Sequence, residues 1–234
     1  MSRILRYYNL DLIDYKKAWD LQYQIHSLRV NNEIEDTLFL LEHPNTYTLG
    51  KTANIENLIS DENFLEKNSI SVFNIDRGGD ITYHGPGQLV GYPIINLSDW
   101  YQDSHKYLRA LEEVIIKVCK DYGLTAERNE NYTGVWVGDS KIAAIGIKIS
   151  RWVTMHGFAF NVTTDLSLFK GIIPCGISDK AVTSLEKELG VSIKVSEVKE
   201  KVITHFQEVF NYESIIIDEI RNLNQKIFEE IKGY

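Results

Sequence analysis

"RGGDITYHGPGQLVGYPI", residues 77–94, is the stretch that decides the fold class. Five of its residues are glycine, and between them stand two β-favouring runs, 81–83 and 89–94. Glycine at this density lets a backbone adopt positive φ or pass close to a ligand, so the block reads as strands joined by a tight loop. It is neither a GxxxxGK[ST] phosphate loop nor a GxGxxG fingerprint. Just upstream, "SVFNID" (71–76) alternates as a half-buried strand should, and "TLFLLE" (37–42) is a short apolar run of the buried-strand kind. Downstream, "GVWVGDSKIAAIGIKI" (134–149) reads as a β-hairpin and "WVTMHGFAFNV" (152–162) as the next strand.

Helices flank this sheet-rich middle. Residues 13–30 space Ala18, Leu21, Ile25 and Leu28 along one face, with Asp14 as N-cap. "SDENFLEK" (60–67) suits a short helix capped by Ser60. Residues 103–123 give the cleanest helix, with Leu108, Leu111, Ile115, Val118 and Tyr122 on one side and Gly123 at its C-terminal end. Residues 196–210 are amphipathic, and the tail from Ser214 repeats a helical spacing through Ile216, Ile220, Leu223, Ile227 and Ile231. Helices first, strands in the middle and helices last predict an α+β domain with a mixed sheet. A doubly wound parallel sheet would alternate its elements more regularly.

The 234 residues suffice for one good-sized domain with a proper core. A net charge of −8 argues against nucleic acid as a partner, because phosphate contacts need concentrated Lys and Arg. No apolar run approaches the roughly 18–20 residues of a membrane span. The first twenty residues have no signal-peptide pattern, so the expected location is cytoplasmic.

Two cysteines make no disulfide framework. Cys119 sits beside Val118 on the apolar side of the 103–123 helix, where a free cysteine is a buried hydrophobe. Cys175, in "IIPCGI", has no helical face, and Gly176 frees the chain just past the sulfur. By itself it reads as a packed loop residue. Its company changes that reading, since Lys141 opens the uncharged run "KIAAIGI" and is a candidate for a partly desolvated amine. Of six histidines, His43, His84 and His156 stand beside Pro or Gly at strand ends, where site residues collect. With no HExxH and no CxxC, a metal site is not expected.

Taken together, "LEHPNTYTLGK", "RGGDITYHGPGQLVGYPI", "KIAAIGIK", "WVTMHGFAFNV" and "IIPCGI" followed by "VTSL" resemble the LipB-type octanoyltransferases of lipoate biosynthesis, in order and in separation. The likeness covers residues 1–211. Residues 212–234 exceed that core and are expected to be a helical extension packed on the domain. The resemblance implies the fold of the biotin and lipoate protein ligases, a mixed β-sheet flanked by helices. It also implies a reaction in which octanoyl passes from acyl carrier protein to an enzyme cysteine, then to the lysine ε-amine of lipoyl domains.

Carried over by motif, Cys175 is the nucleophile and Lys141 its partner. Acyl binding falls on Arg77, Gly78, Gly79, Asp80, Ile81, Thr82, Tyr83 and His84, on Ala144, Ile145 and Gly146, and on Gly157, Phe158 and Ala159. Gly87, Gln88, His156, Asn161 and Gly176 are auxiliary candidates, with backbone N–H groups near Gly176 or in the HGPGQ loop as oxyanion donors. Either Lys141 or His84 is a candidate to take the proton of the incoming amine. Whether Cys175 and Lys141 meet as thiolate and ammonium or as thiol and amine is one coupled equilibrium, and the sequence leaves both open. Implied partners are octanoyl-acyl carrier protein as donor, with lipoyl domains of 2-oxoacid dehydrogenases and the glycine-cleavage H protein as acceptors. No ATP or metal cofactor is implied. The alternatives within the fold are an ATP-dependent lipoate or biotin ligase and a lipoyl-relay amidotransferase.

Overall fold

The computed structural model describes residues 3–173, 181–219 and 222–223. In chain order these form β1 (Ile4–Leu12), α1 (Tyr15–Val30), β2 (Asp36–Glu42), β3 (Thr46–Leu49), α2 (Glu62–Lys67), β4 (Ser71–Asn74), β5 (Ile81–His84) and β6 (Gln88–Ile94). There follow α3 (Ser104–Asp121), β7 (Glu127–Arg128), β8 (Val135–Val137), β9 (Ser140–Ser150), β10 (Val153–Asn161), β11 (Ala181–Val182), α4 (Leu185–Leu189), α5 (Val195–Phe210) and β12 (Ser214–Ile217).

Among the described residues the main sheet has nine strands, in the order β12-β1-β2-β6-β10-β9-β8-β7, with β11 added to β9. β1 runs parallel to β2 and to β12, while β2, β6, β10 and β9 pair antiparallel in succession. The sheet is therefore mixed, as the order of elements predicts. It is covered on both faces, which is why "TLFLLE" is apolar throughout instead of alternating. Leu38 and Leu40 enter the core shared with α3 and α5, and Phe39 and Leu41 enter the core under α1. Period two thus sorts one strand into two cores. A second sheet, β4-β3-β5, packs Tyr47, Leu49, Ile81 and Tyr83 against Leu168, Phe169 and Ile172.

The helix ends follow capping chemistry, with one correction. Asp14 accepts from Lys17 N, and Asp103 accepts from His105 N and Lys106 N. The cap of α2 is Asp61, which accepts from Phe64 N at 2.8 Å. Ser60, expected in that role, instead donates its hydroxyl to Gly171 O at 2.7 Å. A second correction concerns the tail, where residues 214–217 form an edge strand and not the start of a helix. The run Ile215, Ile216, Ile217 is β-branched throughout and registers with β1 at Leu5, Arg6 and Tyr7. The main sheet therefore extends past residue 211. Most of the expected helical extension, residues 220–221 and 224–234, lies outside the described residues. Among the described residues, no helix is long and apolar enough to cross a membrane.

Candidate functional site

The glycine block and β9 meet at a cavity of about 440 Å³. Its walls include Arg77, Gly78, Gly79, Asp80, Ile81, Thr82, His84 and Gln88 from the block, Lys141, Ala144, Ile145 and Gly146 from β9, and His156, Gly157, Phe158, Ala159 and Asn161 from β10. Segments far apart in the chain are thus assembled into one pocket, because β9 and β10 are neighbours and the block crosses the edge of β9.

Two expected members stand outside it. Tyr83 is packed away from it, its hydroxyl donating to Asn45 Oδ1 at 2.9 Å and its ring edge-on to Tyr47 and Phe169. Gly87 is a turn residue at φ +79°, with its carbonyl accepting from Val162 N, Thr163 N and the Thr164 hydroxyl. Cys175 and Gly176 lie outside the described residues. What can be located is the chain on either side of them. Residues 171–173 are pinned to 57–60 by Ile59 N and Ser60 N bonding Gly171 O, and by Ile173 N bonding Asn57 O. Residues 181–183 are pinned to Lys141 itself, with β11 pairing Val182 to Lys141 and Thr183 N donating to Lys141 O at 3.0 Å.

Lys141 is held at the start of β9. Its Nζ stands 4.8 Å from the centroid of the buried Trp136 ring, a cation–π contact. Gly134 backs its stem, where a methyl would sit 3.4 Å from Cε. Gly134 N–H in turn donates to Glu112 Oε1 at 3.1 Å, and Glu112, fully buried, is paired with Arg109 at 2.7 Å and Arg128 at 3.2 Å. A buried carboxylate with two arginine partners fixes the loop against which the lysine rests.

A continuous hydrogen-bond chain runs behind the pocket. Arg77 donates to Thr48 O (2.8 Å) and Oγ1 (3.0 Å), Thr48 Oγ1 lies 3.3 Å from His84 Nε2, and His84 Nδ1 lies 2.9 Å from Gln88 Oε1. Gln88 Nε2 donates to Tyr83 O and Asn161 Oδ1, and Asn161 Nδ2 donates to Thr183 O at 2.9 Å. Since Gln88 spends its amide hydrogens elsewhere, its oxygen faces His84, which carries its proton on Nδ1 and accepts from Thr48 at Nε2. Burial, reinforced by the charges of His43 and Arg77, holds His84 well below the usual histidine range. With both nitrogens engaged, His84 orients the loop and is a poor receiver for an amine proton. His43 is likewise pushed down to about 4 by burial, between Ile13 O and the Tyr92 hydroxyl.

His156 departs from strand geometry, at φ +58° in the middle of β10. Its Nε2 lies 2.9 Å from Asp76 Oδ1, and burial lowers its pKa, so the neutral ring donates to the carboxylate. Burial would raise Asp76, but hydrogen bonds from His156, Lys148 (2.5 Å) and Tyr23 (2.5 Å) outweigh it and hold the carboxyl well below its usual range. A depressed carboxylate adds stability above its unfolded pKa of about 3.9, and that stability is lost as pH falls toward the folded value. The gap in unfolding free energy between wild type and Asp76→Asn is therefore expected to be full at pH 6–7 and to shrink below about pH 4. Urea melts at a series of pH values measure it, and a constant gap would contradict the clamp.

Tyr15, Thr52, Tyr92, Leu108, Ile147, Phe169, Val182 and residues 131–133 also line the cavity. Tyr15 opens α1 with no glycine beside it, and Tyr92 lies in the glycine block, between Gly91 and Pro93, at a position that reads as an ordinary strand residue.

Comparison with known proteins agrees with this geometry. Residues 14–207 match the lipoyl protein ligase A/B catalytic domain. An octanoyltransferase of Christiangramia forsetii is 49% identical over 230 residues, covering 91% of this chain and 98% of the relative. One of Caldicellulosiruptor bescii is 48% identical over 222 residues, covering 94% and 95%. Among solved structures, a lipoate-protein ligase A bound with ATP superposes with a TM-score of 0.76 at 20% identity, covering 99% of this chain and 94% of that one, a likeness of fold. A catalytic-domain match across most of the chain, with relatives near half identity over almost their whole length, shows that the chain belongs to the lipoyl protein ligase A/B family and groups there with the octanoyltransferases.

Proposed function

We propose that the protein carries octanoyl from acyl carrier protein to the lysine ε-amine of lipoyl domains, with Cys175 as the intermediate acyl carrier. The Cys175 thiolate attacks the donor thioester carbonyl, and collapse of the tetrahedral oxyanion expels the carrier thiolate, which takes its proton from the Lys141 ammonium and leaves that lysine neutral. The acceptor amine then attacks the new thioester, Cys175 leaves as thiolate, and the amine gives up one proton to Lys141. Exchange of thioester for thioester is nearly balanced and thioester to amide is downhill, so neither ATP nor a metal is needed. The observation that carries this reading is the register of β11 on β9, which ties the residues just after the 174–180 stretch to the backbone of Lys141. The small side chains of Ala144, Gly146 and Ala159 leave room on the sheet for an alkyl chain, whose burial is worth about 0.8 kcal/mol per methylene. The acceptors fitting this chemistry are the lipoyl domains of 2-oxoacid dehydrogenases and the glycine-cleavage H protein.

The test omits nucleotide. Octanoyl-carrier protein, lipoyl domain and enzyme alone are expected to give octanoylated lipoyl domain by intact mass. Dependence on ATP would point to a ligase, and use of an octanoylated protein in place of carrier protein to a relay amidotransferase. Either result would overturn the proposal.

A further inference from the structure

The buried face of α3 is apolar, aromatic or thiol at every position but one, where Glu112 stands with no exposed surface. A buried carboxylate is a poor substitute for an apolar side chain unless its oxygens are fully engaged. Here Oε2 takes Arg109 Nη1 at 2.7 Å and Arg128 Nε at 3.2 Å, while Oε1 takes the Gly134 N–H at 3.1 Å. Arg128 also pairs with Glu113, so two carboxylates and two guanidiniums balance. With no net charge, the cluster acts on its surroundings through geometry. Gly134 is where that geometry reaches the lysine. Its φ of +127° suits glycine, and a methyl there would meet Ala143 O at 2.6 Å and Lys141 Cε at 3.4 Å. Residues 131–133, just before it, line the cavity, and Trp136, just after it, lies under Lys141 Nζ. The β8–β9 register shifts between Val135 and Trp136, so strand pairing leaves the place of Gly134 to be set from outside the ladder.

We propose that Glu112 is a positioning residue for the transfer reaction, setting through Gly134 where Lys141 Nζ stands in the cavity. The inference rests on the reading above, in which Lys141 exchanges a proton in each half of the reaction. Glu112 itself is not part of the cavity wall. It ties the loop to α3, the loop backs the lysine stem, and the stem has no room to settle toward Gly134.

Positioning and mere support of the fold predict different couplings. Glu112→Gln keeps the size but leaves one oxygen for three donors, and the arginines outcompete the Gly134 N–H for it. Acylation by octanoyl-carrier protein is expected to slow by about 10²-fold, the scale of an ångström of misplacement, with its pH profile moved up toward that of Lys141→Met. Added to Lys141→Met, the same change should slow acylation by about twofold or less, because the group it positions is gone. The experiment follows acyl-enzyme formation by intact mass from about pH 6 to about pH 10, across the ordinary cysteine pKa. It uses the full-length wild type, both single variants and the double variant. A loss in the single Glu112→Gln variant that disappears in the double supports the proposal. Losses that multiply, or Glu112→Gln with wild-type rate and profile, overturn it while leaving octanoyl transfer standing. Lys141→Met with wild-type rate and profile defeats the functional reading of the lysine as well. Should Glu112→Gln fail to fold, Gly134→Ala, which presses on the lysine stem from the loop, takes its place in the same cycle.

Discussion

Mixed with octanoyl-carrier protein and no acceptor, the wild-type chain is expected to gain the mass of one octanoyl group, and Cys175→Ala to gain none. The chain offers two thiols for this test. Cys119 is fully buried among Val118, Leu111 and their neighbours on α3, and burial pushes its thiol up to about 12. At pH 7 that leaves about one molecule in 10⁵ as thiolate, against roughly 3% for a thiol at the ordinary pKa of about 8.5. Cys119→Ala should therefore still take up octanoyl, at some cost in stability from the cavity it leaves. Overall transfer by Cys175→Ala should fall at least about 10³-fold, since losing a nucleophile removes the covalent route altogether. An octanoyl adduct surviving in Cys175→Ala would move the acyl group to another residue and end the assignment.

The second large effect is expected at Lys141. Lys141→Ala should slow acylation by about 10²- to 10⁴-fold, the usual range for a positioned proton-transfer or charge partner. The pH dependence separates this from simple damage. Without the amine, the thiolate has to form unaided, so the rate should climb with pH until it levels near the ordinary cysteine pKa of about 8.5. The wild type should level off at lower pH. Lys141→Met is the companion variant, keeping an apolar stem beside Gly134 and the Trp136 ring while deleting the charge. If both variants acylate at the wild-type rate with an unchanged profile, the lysine has no part in the chemistry.

Much of this architecture is legible in the sequence where local chemistry has one solution. Glycine spacing at 77–94, the buried run at 37–42 and the cap at Asp14 each specify their structure, and most of the pocket follows from the block and the β9–β10 pair. Legibility fails where tertiary context decides. At the start of α2, Ser60 and Asp61 are both good caps, and Gly171 O claims the serine. The turn between β9 and β10 is made by Arg151 and Trp152, both at positive φ, with none of the Gly or Asn that normally announces it. The isoleucine tail suits a helix face as well as an edge strand, and only the open side of β1 selects the strand. Tyr15 and Tyr92 reach the pocket through packing between elements, which a linear pattern does not encode.

The burial of His43, His84 and His156 has a consequence for how the protein answers acidity. All three rings are pushed toward the neutral form, and the chain linking Arg77 to Thr183 passes its hydrogen bonds through amides, a hydroxyl and an uncharged imidazole. At all three positions burial therefore works against taking up a proton. Under the proposed mechanism, an inflection in rate near neutrality would then belong to Cys175 and Lys141 and not to these histidines.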